Sequence, residues 1–470
     1  RIRGIFSVHE MGLGSNFMST SMGTLYNLIG RLHKYFFTYF ETFPAPTAET
    51  LFLLILSILA MESAHSIRFL YRHFLSGITE KLLNAFYYVC SYAKADYSRF
   101  MNVTAAMALK LIPERLKSQP VFLCIDDTMV AKFGKKFEDV SKLFDHAAHN
   151  GSNYLNGHCF VSLMLCVPVW RKHRIVYLAV PLGYRMWKKE TSKLGLSASM
   201  VRQVMPEFSA QKNVIILCDS WYAKKDLVCV VDEYENLDVI CNARYDSVLY
   251  DLAPQPTGKK GRPAKHGRRL SLEEDFTLSN EKIGDYYIGV RQVLTNLFGQ
   301  REVLAYVTAS EKTQGSRRLF FSTIFPHQMQ IFCAWQEKEP LNQTGSSRMQ
   351  YIPLLCYYFR WNIEVSYYEQ KTFWSLCSYM VRSSRGIEML VNLMNVAYCA
   401  MKILPYQEDA FSKYRSESVQ EFRFALSEEI RRQVFYATFL QNIETGIKSN
   451  AFINALKQLL WHQCSCLHKL

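Results

Sequence analysis

The sequence lacks the features that mark a disulfide-bonded secreted protein or a membrane-spanning one. Its 13 cysteines stand singly within apolar runs, as Cys124, Cys166 and Cys241 do, without paired spacing. The longest predominantly apolar run covers 51–61, which is shorter than the ~20 residues that a membrane span needs. The cysteine pattern therefore argues against a disulfide framework and predicts buried thiols in a reducing cytoplasm. The apolar run predicts a buried helix.

Acidic residues are outnumbered by basic ones. The chain has 41 Asp and Glu against 55 Lys and Arg, which gives a net charge of +14 at pH 7. This surplus suits a polyanionic partner, and nucleic acid is the first expectation. The length of 470 residues and the hydrophobic fraction of 49% predict two or three globular domains.

Helical periodicity dominates the N-terminal region. A Pro-rich break at 43–50 is followed by apolar residues that recur at helical spacing as far as about residue 117. We expect residues 1–45 to be a leader without a functional assignment and residues 46–118 to form a helical DNA-binding module. Three basic residues in this module suit either a DNA-reading helix face or a solvated basic face: Arg68, Arg72 and His73.

After Pro120 the periodicity changes from helical to strand-like. The apolar run VFLCI at 121–125 has strand length and leads into Asp126, Asp127 and Thr128. A second such run, NVIILC at 213–218, leads into Asp219. Further strands are predicted at 158–170, 174–182 and 237–244, with helices at 194–208 and 223–235.

The stretch YYFRWNIEVSYYEQK at 357–371 carries the most informative spacing. If it is an α-helix, four of its residues fall within an arc of roughly 60°: Tyr357, Arg360, Glu364 and Lys371. This face would place a carboxylate among phosphate-binding groups. The alternative is a solvated polar face on which Arg360 and Glu364 pair one turn apart.

This spacing of Tyr, Arg, Glu and Lys resembles the signature of bacterial insertion-sequence transposases of the DDE type, and the match has no gap. The resemblance implies that Glu364 is the third metal-binding carboxylate and that Tyr357, Arg360 and Lys371 grip the DNA strand. It also implies that Asp127, which directly precedes Thr, and Asp219 are the first two catalytic acids. Asp126 is then a capping acid or one that supports the metal ligands. One departure is that Ser-Trp-Tyr follows Asp219, where the best-known members have Arg-Glu.

The order of predicted elements is similar to that of the ribonuclease-H-like fold. We expect an α/β protein whose mixed five-stranded sheet is flanked by helices and interrupted by a β-rich insertion, with helical N- and C-terminal regions. An insertion is required because 145 residues separate Asp219 from Glu364, too many for one loop. The expected segments are a first core part (119–250), the insertion (251–350), the core helix with the third carboxylate (351–405) and a helical C-terminal region (406–470).

The most basic stretch of the chain, TGKKGRPAKHGRR at 257–269, opens the insertion. Its Lys-Gly-Arg-Pro core at 260–263 resembles an AT-hook, which reads the narrow minor groove of A·T-rich DNA. A phosphate-gripping loop without sequence reading and an inert linker are the alternatives. The DNA-binding residues predicted here are Lys259, Lys260, Arg262, Lys265, Arg268 and Arg269.

Together these patterns predict a DNA transposase that cuts at the terminal inverted repeats of its element and joins the 3′ ends to target DNA. Two Mg²⁺ ions, for which Mn²⁺ can substitute, would be held by Asp127, Asp219 and Glu364. The expected partners are double-stranded DNA and a second copy of the chain in a synaptic dimer, with no membrane. The expected location is the bacterial cytoplasm, on the nucleoid when DNA is bound. The alternatives are a cleavage-dead, transposase-derived DNA-binding protein and another metal nuclease of the same fold.

Overall fold

The computed structural model describes residues 27–62, 66–94, 96–134, 136–144, 153–172, 174–255, 264–313, 316–329, 349–447 and 454. By their internal contacts the residues divide into two units. The helical unit comprises residues up to Ala93 together with those from Gln420 onward. The sheet unit comprises Lys94–Val419. Lys259, Lys260 and Arg262, which the sequence predicts to bind DNA, lie outside the described residues.

The first part of the helical unit contains five helices in its described residues. α2 begins directly after Pro44, and Pro46 lies in its first turn, where a backbone N–H would have no partner within the helix. Nearly every residue of α2 from Ala48 onward is buried. The apolar run at 51–61 is therefore a core helix. The bounds are α1 Asn27–Phe40, α2 Ala45–Ala60, α3 Ile67–Leu70, α4 Ser76–Ile78 and α5 Leu83–Ser91, with a π-helical turn Tyr71–Leu75 between α3 and α4.

A mixed sheet of eleven strands forms the centre of the sheet unit within the described residues. Its order is β2-β3-β1-β5-β6-β11-β10-β9-β7-β8, and β4 pairs with β3. β1 pairs antiparallel with β3 and parallel with β5, which is itself parallel to β6. The bounds are β1 Val121–Ala131, β2 Ser141–Phe144, β3 Tyr154–Arg171, β4 Arg174–Met186, β5 Val214–Cys218, β6 Leu237–Ala243, β7 Leu249–Tyr250, β8 Arg269–Leu270, β9 Tyr287–Thr295, β10 Val303–Ala309 and β11 Arg317–Ser322.

β1 is longer than the sequence predicts. The apolar run ends at Ile125, but the strand continues through both acids to Ala131 because β3 supplies hydrogen-bonding partners as far as Gly157. Its parallel neighbour β5 stops at Cys218, which lies opposite Ile125. The acids of β1 therefore lie inside one strand but level with the point where the neighbouring strand ends.

The strands of the stretch expected to be an insertion extend the same sheet. β11 pairs antiparallel with β6, from Leu319 opposite Ala243 to Ser322 opposite Ile240. β10 and β9 follow outward as an antiparallel pair. The sheet is accordingly larger than the five strands expected, and the proposed segment boundaries stay predictions.

Six helices complete the described part of the sheet unit. α11 is long and apolar enough to cross a membrane, but 94% of its apolar window is buried inside the protein, as in a core helix. Asn392 and Asn395 of α11 donate hydrogen bonds to the carbonyls of Tyr184 and Pro181 in β4, which fastens the helix to the sheet. The bounds are α6 Arg99–Leu109, α7 Lys193–Val204, α8 Lys225–Val228, α9 Ile352–Cys356, α10 Trp361–Phe373 and α11 Ser384–Gln407.

The last described helix, α12 (Val419–Ile447), belongs from Gln420 onward to the helical unit. Its Arg423 guanidinium donates hydrogen bonds to the carbonyls of Ile58 and Met61 at the C-terminal end of α2. Such bonds satisfy carbonyls that have no partner within their own helix. Helix α2 and the residues of α12 from Gln420 onward are thus joined in one helical unit.

Candidate active site

The neighbouring acids Asp126 and Asp127 point to opposite faces of the sheet because side chains alternate along a strand. Asp126 is buried, with 9% of its surface exposed, whereas Asp127 is partly exposed. Their partners come from different elements: Asp126 contacts Arg360, which directly precedes α10, and Asp127 contacts Lys193 at the start of α7. The two acids are therefore not interchangeable.

Asp126 and Glu364 share the guanidinium of Arg360. The Arg360 Nη1 atom lies 3.0 Å from Asp126 Oδ2 and 3.5 Å from Glu364 Oε1. Burial raises the pKa of Asp126 well above its ordinary value, and repulsion from Glu364 and Asp219 raises it further against the opposing effect of Arg360. The structure thus brings Asp126, Asp219 and Glu364 together as one group of interacting carboxylates.

Asp219 is held in place at the carboxyl end of β5. Its Oδ1 atom accepts hydrogen bonds from the backbone N–H groups of Trp221 at 3.0 Å and Tyr222 at 3.1 Å. The register that pairs Ile125 with Cys218 places Asp219 level with Asp126 on the adjacent strand. The pairing of β1 with β5 therefore brings these two acids, which are distant in sequence, close together in space.

Asp127 takes part in a separate cluster. Lys193 Nζ forms an ion pair with Asp127 Oδ2, and the Cys159 thiol donates to the same oxygen at 2.8 Å. Burial opposes the charge on Lys193, but Asp127 outweighs this effect and raises its pKa. Lys193 is not predictable from the sequence because no local motif marks it. Only the packing of α7 beside β3 brings it to this acid.

The predicted DNA-gripping residues do not lie on one continuous α-helical face. Tyr357 and Arg360 belong to a 3₁₀ turn, Tyr357–Arg360, and only from Trp361 onward is the segment α-helical. The ring of Tyr357 packs edge-on against Phe320 of β11 at 5.1 Å, and burial raises its pKa. Lys371 lies in the last turn of α10 and is half-buried. The helical prediction is therefore wrong for the first turn of this stretch and holds for the remainder.

Three predicted residues of the basic stretch are described, and their surroundings differ. Lys265 and Arg269 are exposed. The guanidinium of Arg268 is paired with the carboxylate of Asp275, where Nη1 lies 3.1 Å from Oδ2. Lys265 and Arg269 can therefore contact a DNA phosphate directly. Arg268 would first have to leave its ion pair with Asp275.

The carboxylate oxygens of Asp126, Asp219 and Glu364 suit a hard divalent cation, but these side chains do not converge on one coordination site. In the part of the chain that the structure describes, no three His, Cys, Asp or Glu side chains are arranged to hold a metal ion. Asp126 and Glu364 are paired with Arg360 instead. Mg²⁺ prefers carboxylate oxygens, and the mutual repulsion that raises the pKa of Asp126 would be relieved by a bound cation.

Comparison with known proteins identifies a family match over the first part of this site. The profile of the family described as DDE superfamily endonuclease matches residues 38–293, more than half of the chain. The matched range contains Asp126, Asp127 and Asp219 and ends before Glu364. A search of curated proteins found no match.

Proposed function

This chain belongs to the DDE superfamily endonucleases, and we propose that it is the DNA transposase of an insertion sequence. It cuts DNA at the terminal inverted repeats of its element and joins the 3′ ends to target DNA. The observation that carries the proposal is the group of Asp126, Asp219 and Glu364, which interact around Arg360. The pairing of β1 with antiparallel β3 and parallel β5 supports a ribonuclease-H-like core.

DDE nucleases generally use divalent metal ions, and we propose Asp126, Asp219 and Glu364 as the ligands for Mg²⁺, with Mn²⁺ as a substitute. When bound, the metal supplies an activated oxygen nucleophile and neutralises charge on the leaving oxygen. Asp127, chosen from the sequence as the first ligand, remains the alternative to Asp126. The geometry favours Asp126 because Asp127 faces Lys193 on the other side of the sheet.

Arg360 and Lys371 are proposed to bind the phosphates of the strand being cut. A guanidinium binds phosphate oxygens through a planar fork, whereas an ammonium acts as a point charge. The Tyr357 ring supports Arg360, whose guanidinium carbon lies 5.9 Å from the ring centroid. Tyr357 therefore positions the arginine, and its predicted direct contact with DNA stays a prediction.

The proposed partners are duplex DNA, both as inverted repeats and as target, and a second copy of the chain. The net charge of +14 supports a polyanionic partner. A homodimer is proposed because two element ends have to be brought together. The proposed location is the bacterial cytoplasm, with the protein on the nucleoid when it is bound to DNA.

The test is cleavage of a labelled duplex that carries the DNA flanking the gene, with Mg²⁺ and with EDTA. Wild type is expected to cut at the repeat boundary only with Mg²⁺ and to join the cut ends to a target plasmid. Asp219→Asn should lower the cutting rate by about a thousandfold. Asp226→Asn, which changes an exposed acid in α8, is the matched control and should leave the rate unchanged.

One observation favours a second candidate, a cleavage-dead DNA-binding protein derived from a transposase. Arg360 is already paired with Asp126 and Glu364, so that a metal has to compete with a guanidinium for these carboxylates. Salt-sensitive DNA binding without cutting in Mg²⁺ or Mn²⁺ would establish this candidate and contradict the transposase. Cutting without joining would instead indicate a nuclease of another kind.

A further inference from the structure

The Trp221 side chain is an exposed aromatic ring beside two ammonium groups. It lies in the turn that follows Asp219, and 41% of its surface is exposed. Lys224 Nζ lies 4.6 Å and Lys193 Nζ 5.2 Å from the ring centroid. The backbone N–H of Trp221 is bonded to Asp219, and the ring of Tyr222 packs edge-on at 4.9 Å. The backbone of Trp221 is therefore fixed beside one of the proposed metal ligands, and its ring lies among Lys193, Lys224 and Tyr222.

The two lysines are held differently. Lys193 is anchored by its ion pair with Asp127, and its ammonium also lies 5.8 Å from the ring of Trp187. Lys224 is exposed, and in the described part of the chain no carboxylate is ion-paired with it. One cation is thus pre-positioned beside the ring and the other is available to an incoming anion.

The two tryptophans near Lys193 also differ in their indole N–H groups. That of Trp187 donates to the Thr191 carbonyl at 2.8 Å. For Trp221 the hydrogen bonds of the described residues involve the backbone N–H and not the indole. The Trp187 indole is thus tied to its own loop, whereas the exposed Trp221 ring keeps both a π-face and a donor for a ligand.

We propose that Trp221, Lys193 and Lys224 form a binding platform for an unpaired nucleotide of the DNA strand that enters the active site. The base stacks on Trp221, Lys224 binds the adjacent phosphate, and Lys193, which is paired with Asp127, keeps its ammonium beside the ring. An exposed aromatic ring flanked by cations is the combination with which proteins bind single strands irrespective of sequence. Trp221 is within reach of a strand bound at Asp219 because its backbone N–H is bonded to that carboxylate. The inference rests on the proposed function, which supplies DNA as the substrate.

The experiment measures the binding of fluorescein-labelled oligo(dT) of about 20 nucleotides by fluorescence anisotropy in EDTA. Trp221→Ala should raise the dissociation constant roughly tenfold, and Trp221→Phe should recover most of the affinity because it keeps a stacking ring. Lys224→Ala should lower the slope of log K against log salt concentration by about 0.7, the value for one phosphate contact on a single strand.

Trp170→Ala is the matched control. Trp170 is also 41% exposed and lies in a basic segment, but it is near the end of β3 beyond the start of β1, whereas the acids lie in the middle of β1. It should change the affinity by less than about twofold. Equal weakening by Trp170→Ala and Trp221→Ala, or wild-type affinity in Trp221→Ala, would overturn the platform. The binding assay is independent of cutting because EDTA removes the metal ion. If Trp221→Ala weakens binding but wild type does not cut DNA in Mg²⁺, the platform stands and only the transposase proposal is refuted.

Discussion

Asp126 and Asp127 differ in the charge that each one meets. The buried Asp126 lies beside Arg360 and is repelled by the carboxylates of Glu364 and Asp219. Asp127 is instead paired with the ammonium of Lys193. One guanidinium beside three interacting carboxylates leaves a surplus of negative charge that a metal cation can neutralise, whereas the Lys193 ammonium balances the single charge of Asp127. This difference separates the two acids although they are neighbours in sequence.

Replacement of each acid by its amide tests this distinction. Asp126→Asn should lower Mg²⁺-dependent DNA cutting by about a thousandfold because a proposed metal ligand is lost. Asp127→Asn should lower it by about tenfold or less, through the release of Lys193. Rates are compared on the same flanking duplex, after circular dichroism has shown that both variants are folded. The reverse ranking would return the first ligand to Asp127, as the sequence resemblance implies.

Removal of the Arg360 guanidinium should destabilise the protein because two carboxylates lose their shared counter-charge. For Arg360→Ala we expect the free energy of unfolding in the absence of metal to fall by about 2–3 kcal/mol. Arg268→Ala is the control, since the Arg268 side chain is exposed where it pairs with Asp275 and its loss should change the free energy of unfolding far less than the loss of Arg360. Urea titration measures both. If both variants lose the same small amount of unfolding free energy, Arg360 does not balance the charges of Asp126 and Glu364.

At the scale of elements, the position of α10 depends on how the chain beyond it is tied to β1. The buried Lys132 follows β1 directly, and its ammonium donates to the carbonyls of Cys377 at 2.8 Å and Tyr379 at 2.9 Å. The Tyr379 hydroxyl lies 2.7 Å from Nδ1 of His158 in β3. The segment that follows the helix of Glu364 is therefore fastened to the strand of Asp126 by buried hydrogen bonds.

Burial lowers the pKa of Lys132 to about 8. Between that value and the ordinary 10.5 the folded state has released a proton that the unfolded state still holds, so stability rises with pH. The free energy of unfolding of wild type relative to Lys132→Met should therefore increase by on the order of 1–2 kcal/mol across this interval. Denaturant titrations at several pH values measure the difference. A difference independent of pH would contradict a buried ammonium at this position.

The close pairing of β1 with β3 should make Gly157 intolerant of a side chain. A Cβ atom at this position would lie 2.1 Å from the Val130 carbonyl oxygen, a backbone atom that cannot move aside alone. Gly157→Ala is expected to cost about 2 kcal/mol or more of unfolding free energy and to reduce cutting by displacing the acids of β1.

The control for this substitution is Gly30→Ala in helix α1, where no atom lies within 4 Å of the new Cβ. It should stabilise the protein by about 0.5–1 kcal/mol because alanine loses less backbone entropy than glycine in a helix. Thermal unfolding compares the two variants. A neutral Gly157→Ala would mean that β1 and β3 separate at this point without cost.

At the scale of the whole molecule, the surplus of positive charge is expected to govern association with DNA. The affinity for a duplex should fall roughly tenfold or more between about 100 and 300 mM KCl because bound phosphates release counterions. Lys265 and Arg269 are exposed, and their joint replacement by Ala should lower the slope of log K against log salt concentration by about 2.

Arg244→Ala is the control for this measurement because Arg244 is already paired with Asp246, at 2.8 Å. Filter binding at several salt concentrations gives the slopes. An unchanged slope in the double variant would exclude these two residues of the basic stretch as phosphate contacts. The predicted roles of Lys259, Lys260 and Arg262 are not affected by that result.

Much of the architecture followed from periodicity alone. Apolar runs of strand length predicted β5 and β6 nearly to the residue, because strands buried on both faces are apolar throughout. Helix α7 was also predicted. The helix predicted at 223–235 is in the structure only the single α-helical turn of α8, followed by a 3₁₀ segment. Periodicity does not distinguish a 3₁₀ turn from an α-helix, which also explains the mistaken first turn of the stretch at 357–371.

The sequence by itself determined which kind of protein this is. The acids after apolar runs and the spacing around Glu364 indicated a DDE nuclease, and the family match over residues 38–293 confirms that level of assignment. The insertion-sequence origin and the joining step stay predictions. Residue types at fixed spacings carry this information because chemistry at a phosphodiester requires particular side chains whatever their detailed packing.

Only the tertiary structure decided which of two adjacent acids meets Arg360 and Glu364, and that Lys193 neutralises the other. The physical reason is that a side chain's face depends on strand register, and its charge environment on elements far away in sequence. Register and packing arise from the pairing of β1 with β3 and β5, which no local pattern around Asp126 reveals.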